Sequence, residues 1–310
     1  AICRTAQMLL ALAALALPFW SKWPFAAPAH RCWPSSRPVG PTAVPPSAKM
    51  DGTRYTGEFG GRVDVLQVVR VVDCVVAANV LLVHQHRRAK DFLHVIVTPD
   101  TQRCAILAQK WRHVRCCSDA SVLSNVTLDG VAQLLAAVGP QAAAKGAPWY
   151  LQQMLKLGAV AHGVQGLGTH VRIMDGETLM VQPADWFTGS GVEIFDTCDP
   201  KGRDHRQIGD GWNHERYGAL YYRLTGLPPA GSPVLVAHGM SMTRQHARSL
   251  LDAFSPPGET WRSDMWVAHS LSRLCDAAAE TGFSEYYYYS SWVLGALRRG
   301  ENGTAMVRTA

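Results

Sequence analysis

Short apolar runs alternate with longer stretches of helical spacing from residue 63 to residue 174. The apolar, mostly β-branched runs predict buried strands, at residues 63–72, 92–98, 114–117 and 171–174. The stretches between them predict helices, at residues 74–86, 101–111, 128–138 and 149–161, the last of them amphipathic. Strands that alternate with helices are typical of an α/β fold of Rossmann type, with a mostly parallel sheet flanked by helices.

The pattern changes after residue 183. Residues 196–216 are polar and rich in Gly, and they predict a loop beside an active site. Beyond this loop, further elements are predicted: helices at 216–227, 243–254 and 264–281, and a strand at 233–237. The sequence contains no internal repeat, so we expect a single domain over residues 61–310.

The N-terminal 60 residues have a different character. Arg4 precedes an apolar run at residues 8–17, which has the length of a secretory signal core and is short for a membrane-spanning helix. We expect a signal peptide or short signal anchor at residues 1–23 and a Pro-rich, disordered stem at residues 24–60. This layout predicts the secretory pathway, in the Golgi or the ER lumen as a type II membrane protein, or a secreted protein.

Composition and charge exclude few classes of function. Hydrophobic residues make up 47% of the chain and charged residues 17%, as in ordinary globular proteins. The net charge of +6 is not concentrated in one basic stripe, so no nucleic-acid partner is expected. Two acceptor triplets for N-linked glycans, at 125–127 and 302–304, and eight cysteines are compatible with a luminal protein. The cysteine spacing determines no pairing, and Cys116-Cys117 lacks the partner motif of a zinc ribbon.

The most informative polar motif is Asp175-Gly176-Glu177, which directly follows the predicted strand at 171–174. Ligands of open α/β sheets bind at the carboxyl ends of the strands. Two carboxylates two residues apart on extended backbone project to the same side and hold a hard divalent cation, which neutralises a diphosphate. Asp-Gly between two apolar runs is also a common β-hairpin signal, so a simple turn remains an alternative.

Four blocks of the sequence resemble a poorly characterised family of GT-A-like sugar transferases. In chain order, they are a WYxQQxxKL helix at 149–157, a strand with a D-x-D-T-like ending at 173–183, an apolar strand ending in a His near Met at 236–240, and an FSEY segment at 283–286. The resemblance covers residues 61–295. It implies a GT-A-like fold and a transferase that moves a sugar from a nucleotide-sugar donor to a glycan, glycoprotein or glycolipid acceptor.

The resemblance also implies a metal site for Mn²⁺ or Mg²⁺. Asp175 and Glu177 would be metal ligands, and His238, at the end of the predicted strand 233–237, would be the third. Glu177 stands where the family usually has Asp, which leaves the metal geometry open. A His beside an apolar strand is also common as a structural residue.

The resemblance also implies roles for other residues, in binding the donor and in catalysis. Gln153 and Lys156, on the helix before the acidic strand, are candidate donor contacts, as are Asp175 and Tyr286. Glu285 is the candidate base toward an acceptor hydroxyl, or a hydrogen-bond partner of the donor sugar.

Each of these assignments has a structural alternative. Lys156 would be an ordinary solvated lysine, and Glu285 an exposed residue on a loop. The run 286–289 consists of four tyrosines, which either stack on a sugar ring or alternate into the core as a strand. Asp73 is placed to contact a nucleotide and equally to cap the helix at 74–86.

Two other functions remain open. The first is a non-catalytic relative that binds nucleotides or glycans, in which Glu177 no longer supports a metal. The second is a serine hydrolase, because Gly239-Met240-Ser241 is half of a G-x-S-x-G nucleophile elbow. Thr243 stands where that elbow requires its second glycine, which disfavours the hydrolase.

Overall fold

A computed structural model describes residues 59–87, 91–140, 146–180, 184–197, 211–229, 239–274, 282–298 and 305–309. Seven strands lie in these ranges: β1 (Val63–Val68), β2 (His94–Val97), β3 (Val114–Cys117), β4 (His170–Met174), β5 (Glu193–Thr197), β6 (Gly239–Thr243) and β7 (Ala305–Thr309). The expected signal or anchor and most of the expected stem lie outside the described residues, as does His238.

Nine α-helices occur in the same ranges: α1 (Cys74–His86), α2 (Thr101–Lys110), α3 (Asp119–Val122), α4 (Leu128–Val138), α5 (Ala147–His162), α6 (Gly211–Thr225), α7 (Arg244–Phe254), α8 (Met265–Ser272) and α9 (Glu285–Arg298). None of the described helices is long and apolar enough to cross a membrane.

The central sheet has the strand order β3-β2-β1-β4-β6. The first four strands are parallel, and β6 runs antiparallel to β4, with Met174 opposite Gly239. Strands β5 and β7 form a separate parallel pair. Helices cover both faces of the central sheet, which confirms the predicted α/β class with a mostly parallel sheet.

Strand β1 explains why the core forms on both sides of the sheet. All six of its residues are buried, as expected for an inner strand of a parallel sheet. Leu66 and Val68 pack on the side of α5, and the next residue, Val69, joins Val76 and Val80 of α1 on the other side. Burial on both faces therefore accounts for the mostly apolar run that predicted this strand.

Helix α5 lies at the centre of the fold and is buried around nearly its whole circumference. The prediction that it is amphipathic is wrong, because α4, α7 and α9 cover the side that faces away from the sheet. Gly158 permits this packing, since a Cβ there would come within 2.9 Å of the Leu123 side chain.

Most local predictions in the first half of the chain agree with the structure. Helix α1 has the predicted bounds, and the Asp73 side chain caps it by accepting hydrogen bonds from the backbone N–H groups of Val75 and Val76. A disulfide joins Cys104 of α2 to Cys116 of β3, a pairing that the spacing did not reveal.

Later elements depart from the predictions. Helix α6 begins at Gly211, inside the predicted loop, and the rest of that loop lies largely outside the described residues. The predicted strand at 233–237 also lies outside them, and the strand that the structure does describe here is β6. Helix α8 ends at Ser272, whereas the prediction extended to residue 281.

Burial keeps the His94 side chain uncharged in the folded protein. It is fully buried on β2, and burial, with a smaller contribution from His113, lowers its pKa to about 3. Its Nε2 lies 2.9 Å from Oε1 of Gln67, which fits an Nε2–H donor, and its Nδ1 has no hydrogen-bond partner among the described residues. An unfolded histidine titrates near 6.5, so protonation favours the unfolded chain in acid.

We therefore expect the free energy of unfolding to be independent of His94 above about pH 6.5 and to fall as the pH decreases from there toward 3, by up to about 1.4 kcal/mol per pH unit from this group. His94→Gln should reduce the slope in urea denaturation measured from pH 7.5 to 4.5. His113, whose pKa burial and neighbouring positive charges lower to about 4, should maintain a residual slope. Equal slopes in the variant and the wild type would contradict the assignment.

Candidate functional site

Asp175 lies directly after the last residue of β4, at the carboxyl edge of the parallel strands. The backbone turns here: the N–H of Thr178 donates to the carbonyl oxygen of Asp175 at 3.0 Å. The Gln67 side chain on β1 donates to the same oxygen at 3.4 Å. Residues 175–178 are therefore a tight turn, and the expectation that Asp175 and Glu177 project together from extended backbone is wrong.

Gly176 allows this turn to approach the segment that follows β1. A Cβ at Gly176 would lie 2.7 Å from Cγ1 of Val69, a distance that the stiff valine side chain cannot accommodate without moving. The turn after β4 and the segment after β1 are thus in contact. This contact fixes the position of Asp175 relative to the sheet.

Lys156 approaches Asp175 from α5 and is only 2% exposed. Its Nζ lies 2.5 Å from Oδ1 of Asp175 and 2.6 Å from Oε1 of Glu285, so one ammonium joins two carboxylates. Nζ also lies 4.7 Å from the ring centroid of Tyr286. Burial by itself lowers the pKa of Lys156, but the negative charge of Glu285 and Asp175 outweighs burial and raises this pKa well above its ordinary value.

Gln153 and Tyr286 complete the cluster. Gln153 lies one turn before Lys156 on α5, and its amide, oriented with the nitrogen toward Glu285, donates to Oε1 at 2.8 Å and contacts Oε2. The Tyr286 hydroxyl donates to Oδ1 of Asp175 at 2.8 Å. The structure therefore brings together the five candidate residues Gln153, Lys156, Asp175, Glu285 and Tyr286, which come from three distant segments.

Glu285 is the first residue of α9, and its side chain is 2% exposed, unlike the exposed loop residue of the alternative interpretation. Burial raises the pKa of Glu285, as does the charge of Asp175, while Lys156 opposes the shift. With Lys156 and Gln153 occupying its oxygens, the carboxylate faces its partners and not solvent. This position suits a group that holds Lys156 and Asp175 in place better than a base that reaches an acceptor.

Asp175 is the most accessible charged group of the cluster, with 14% of its side chain exposed. Lys156 is more deeply buried than Asp175, so it is not the solvated lysine of the alternative interpretation. In this conformation it also cannot contact a phosphate directly. With both carboxylates ionised, the three charged side chains carry one positive and two negative charges. In that ionisation state these three side chains sum to one negative charge, and Asp175 is the carboxylate closest to solvent.

The described residues supply only part of a metal site. Glu177 is exposed on the turn two residues after Asp175. No group of three or more His, Cys, Asp or Glu side chains that could hold a metal occurs in the described ranges. By donor chemistry alone, the two carboxylates of this turn suit a cation such as Mg²⁺, which proteins commonly bind through one or two carboxylates together with substrate phosphates.

The other candidate residues make contacts that stabilise the fold. Asp73 caps α1 through two backbone hydrogen bonds. Tyr286–Tyr289 belong to a helix, so the alternating strand is wrong, and Tyr288 and Tyr289 are buried in the core. Tyr289 donates to the buried Glu193 carboxylate at 2.7 Å and accepts from the N–H of Thr243, which pairs with His170 at the end of β4 opposite to Asp175.

Ser241 lies in the middle of β6 and is fully buried. The Arg172 guanidinium of β4 donates to its hydroxyl oxygen at 3.3 Å. A nucleophile elbow requires an exposed serine on a sharp turn between a strand and a helix. The strand geometry of residues 239–243 therefore does not match the elbow.

Sequence reasoning missed two polar residues that support the site from within the sheet. Gln67 of β1 and His94 of β2 are fully buried and connect, through hydrogen bonds, to the carbonyl oxygen of Asp175. A detectable signal was present, because Gln67 interrupts a strand that is otherwise nearly all apolar. Buried polar side chains in such strands are usually hydrogen-bonded to a specific partner.

The sequence matches no protein-family model and no curated protein. Among solved structures, the chain is similar to glucosyl-3-phosphoglycerate synthase from Mycobacterium tuberculosis in complex with UDP, at 15% identity and a TM-score of 0.31, over 66% of this chain and 63% of the synthase. The complex of that synthase with Mn²⁺, UDP and glucosyl-3-phosphoglycerate matches at 14% identity and a TM-score of 0.33, over 80% and 70%.

The buried Lys156–Glu285 pair should be a strongly coupled unit. We expect Lys156→Met to lower the free energy of unfolding by about 3–5 kcal/mol, because it leaves buried carboxylates without their cation. Adding Glu285→Gln to Lys156→Met should restore part of the loss, since it removes the uncompensated charge. Urea denaturation of the wild type, both single variants and the double variant measures this coupling. Additive effects would show that the two side chains do not interact in solution.

Proposed function

We propose that the chain is a metal-dependent glycosyltransferase, which moves a sugar from a nucleotide-sugar donor to a hydroxyl of a glycan, glycoprotein or glycolipid acceptor. The observation that carries the proposal is the convergence of Gln153, Lys156, Glu285 and Tyr286 on Asp175 at the carboxyl end of β4. The motifs that resemble GT-A-like sugar transferases supply these same residues. Open α/β sheets bind ligands at this edge.

Charge balance explains how such a site would serve sugar transfer. Asp175 and Glu177 would hold a Mn²⁺ or Mg²⁺ ion through carboxylate oxygens, the ligands that hard cations prefer. When bound, the cation stabilises the negative charge that develops on the departing nucleoside diphosphate. Lys156 does not neutralise Asp175 completely, because Glu285 shares the same ammonium.

The other members of the cluster would act by positioning. Lys156 and Tyr286 both donate to Oδ1 of Asp175, which restricts the rotation of its carboxylate. Glu285 accepts a hydrogen bond from Lys156, and Gln153 donates to Glu285. A metal-binding carboxylate held by hydrogen bonds is preorganised, and loss of such supporting contacts commonly costs 10–100-fold in affinity or activity.

The first test is a screen of nucleotide sugars for metal-dependent release of the nucleoside diphosphate by the purified chain. We expect release with one class of donor in Mn²⁺ or Mg²⁺, and none in chelator. Asp175→Asn, which keeps the shape of the side chain and removes its charge, should reduce release by about 100-fold or more. Asp129→Asn is the matched control, because Asp129 is an exposed residue in the first turn of α4 and lies outside the cluster. Equal release by Asp175→Asn and the wild type would refute the site.

A second test separates the positioning role of Glu285 from a role as the base. Glu285→Gln should lower kcat by about 10–100-fold and leave the shape of the pH–rate profile unchanged. If Glu285 were the base, the variant would lose the acidic limb of that profile. The profiles of the wild type and of Glu285→Gln, measured with saturating donor, decide between the two.

A non-catalytic binding protein is the second candidate. The exposed position of Glu177 and the absence of a three-ligand cluster in the described ranges favour it. It predicts calorimetric binding of a nucleotide or a glycan that is the same in Mn²⁺ and in chelator, without turnover of any nucleotide sugar. Labelling by a fluorophosphonate that Ser241→Ala abolishes would instead favour a hydrolase, which the burial of Ser241 disfavours.

A further inference from the structure

The turn between α3 and α4 carries a motif that the candidate site does not use. Residues Asn125-Val126-Thr127 form an acceptor triplet for an N-linked glycan. Asn125 is exposed and lies outside regular secondary structure, in a turn where the N–H of Val126 donates to the carbonyl oxygen of Leu123. A glycan on an exposed turn requires no rearrangement of the core, whereas a buried asparagine could not retain one after folding.

Thr127 has a structural role as well as its place in the triplet. It is the N-cap of α4, and its Oγ1 accepts a hydrogen bond from the backbone N–H of Gly130 at 3.0 Å. Thr127 is exposed, so the hydroxyl that the triplet requires is at the surface. Substitutions at Thr127 therefore affect two properties, and only those at Asn125 affect the acceptor alone.

The disulfide between Cys104 and Cys116 is an independent observation that indicates the same compartment. It joins α2 to β3, close in sequence to the triplet. Disulfides form and persist in oxidising environments such as the ER lumen and are rare in the cytosol. N-linked glycans are added in that same lumen.

We propose that Asn125 is the acceptor of an N-linked glycan in the luminal form of this protein. The modification concerns the turn before α4 and not the cluster around Asp175. The failure of this proposal would therefore leave the sugar-transfer proposal unaffected, and the reverse also holds. A second triplet, at residues 302–304, lies outside the described residues and is treated as a separate acceptor.

The test is translation of the full chain behind a cleavable secretion signal in the presence of ER microsomes. Only the protease-protected chains are analysed, so that failed translocation does not count as failed glycosylation. We expect the wild-type chain to migrate more slowly on a denaturing gel by the step of one glycan or more, and peptide-N-glycosidase F should remove this step. Asn125→Gln and Thr127→Ala should each lose this step, and Thr127→Ser should retain it because serine keeps the hydroxyl. Asn302→Gln measures any contribution of the second triplet.

An unchanged glycosidase-sensitive step in protected Asn125→Gln chains, or none in the protected wild type, would overturn the proposal. A folding control uses unglycosylated protein made in bacteria. There, Thr127→Ala should lower the urea midpoint by removing the cap of α4, while Asn125→Gln and Thr127→Ser leave it nearly unchanged. The loss of the step in Asn125→Gln is then attributable to the acceptor and not to the fold.

Discussion

The buried ammonium of Lys156 is the constraint on which the arrangement of the candidate site depends. A lysine that is 2% exposed costs several kcal/mol unless its charge is paired and its protons find acceptors. Asp175 and Glu285 provide both, from the turn after β4 and from the start of α9. Because the cation cannot remain unpaired, it holds α5, the turn after β4 and α9 together at the carboxyl edge of the sheet.

Two buried polar residues beside the site are also held by hydrogen bonds. Gln67 and His94 are buried within the sheet and form a chain of hydrogen bonds that ends on the carbonyl oxygen of Asp175. Tyr286 and Lys156 bind its carboxylate from the other side. Asp175 is thus held at both its backbone and its side chain. A carboxylate with so little freedom is suited to bind a cation or a ligand at low entropic cost.

Local physical chemistry explains which elements were predictable. Helix α1 was predictable because Asp73 is an N-cap and the residues after it are mostly apolar. Strand β1 was predictable because an inner strand of a parallel sheet is mostly apolar on both faces. Strand β6 was missed, since Gly, Ser and Thr alternate with its two methionines and its partner β4 is 65 or more residues earlier. Tyr286–Tyr289 suggested a strand from composition alone, although the tertiary contacts of α9 make them helical.

The sequence by itself determined the α/β alternation, the placement of Asp175 after a buried strand and the identity of the residues worth testing. Periodicity and capping are local, so they can be recognised over a few residues. Only the tertiary structure decided that Lys156 joins Asp175 to Glu285, which lies 129 residues later, and that Glu285 is buried rather than on an exposed loop. Such a pairing arises from helix packing and the desolvation of charge, and neither property has a local signature in the sequence.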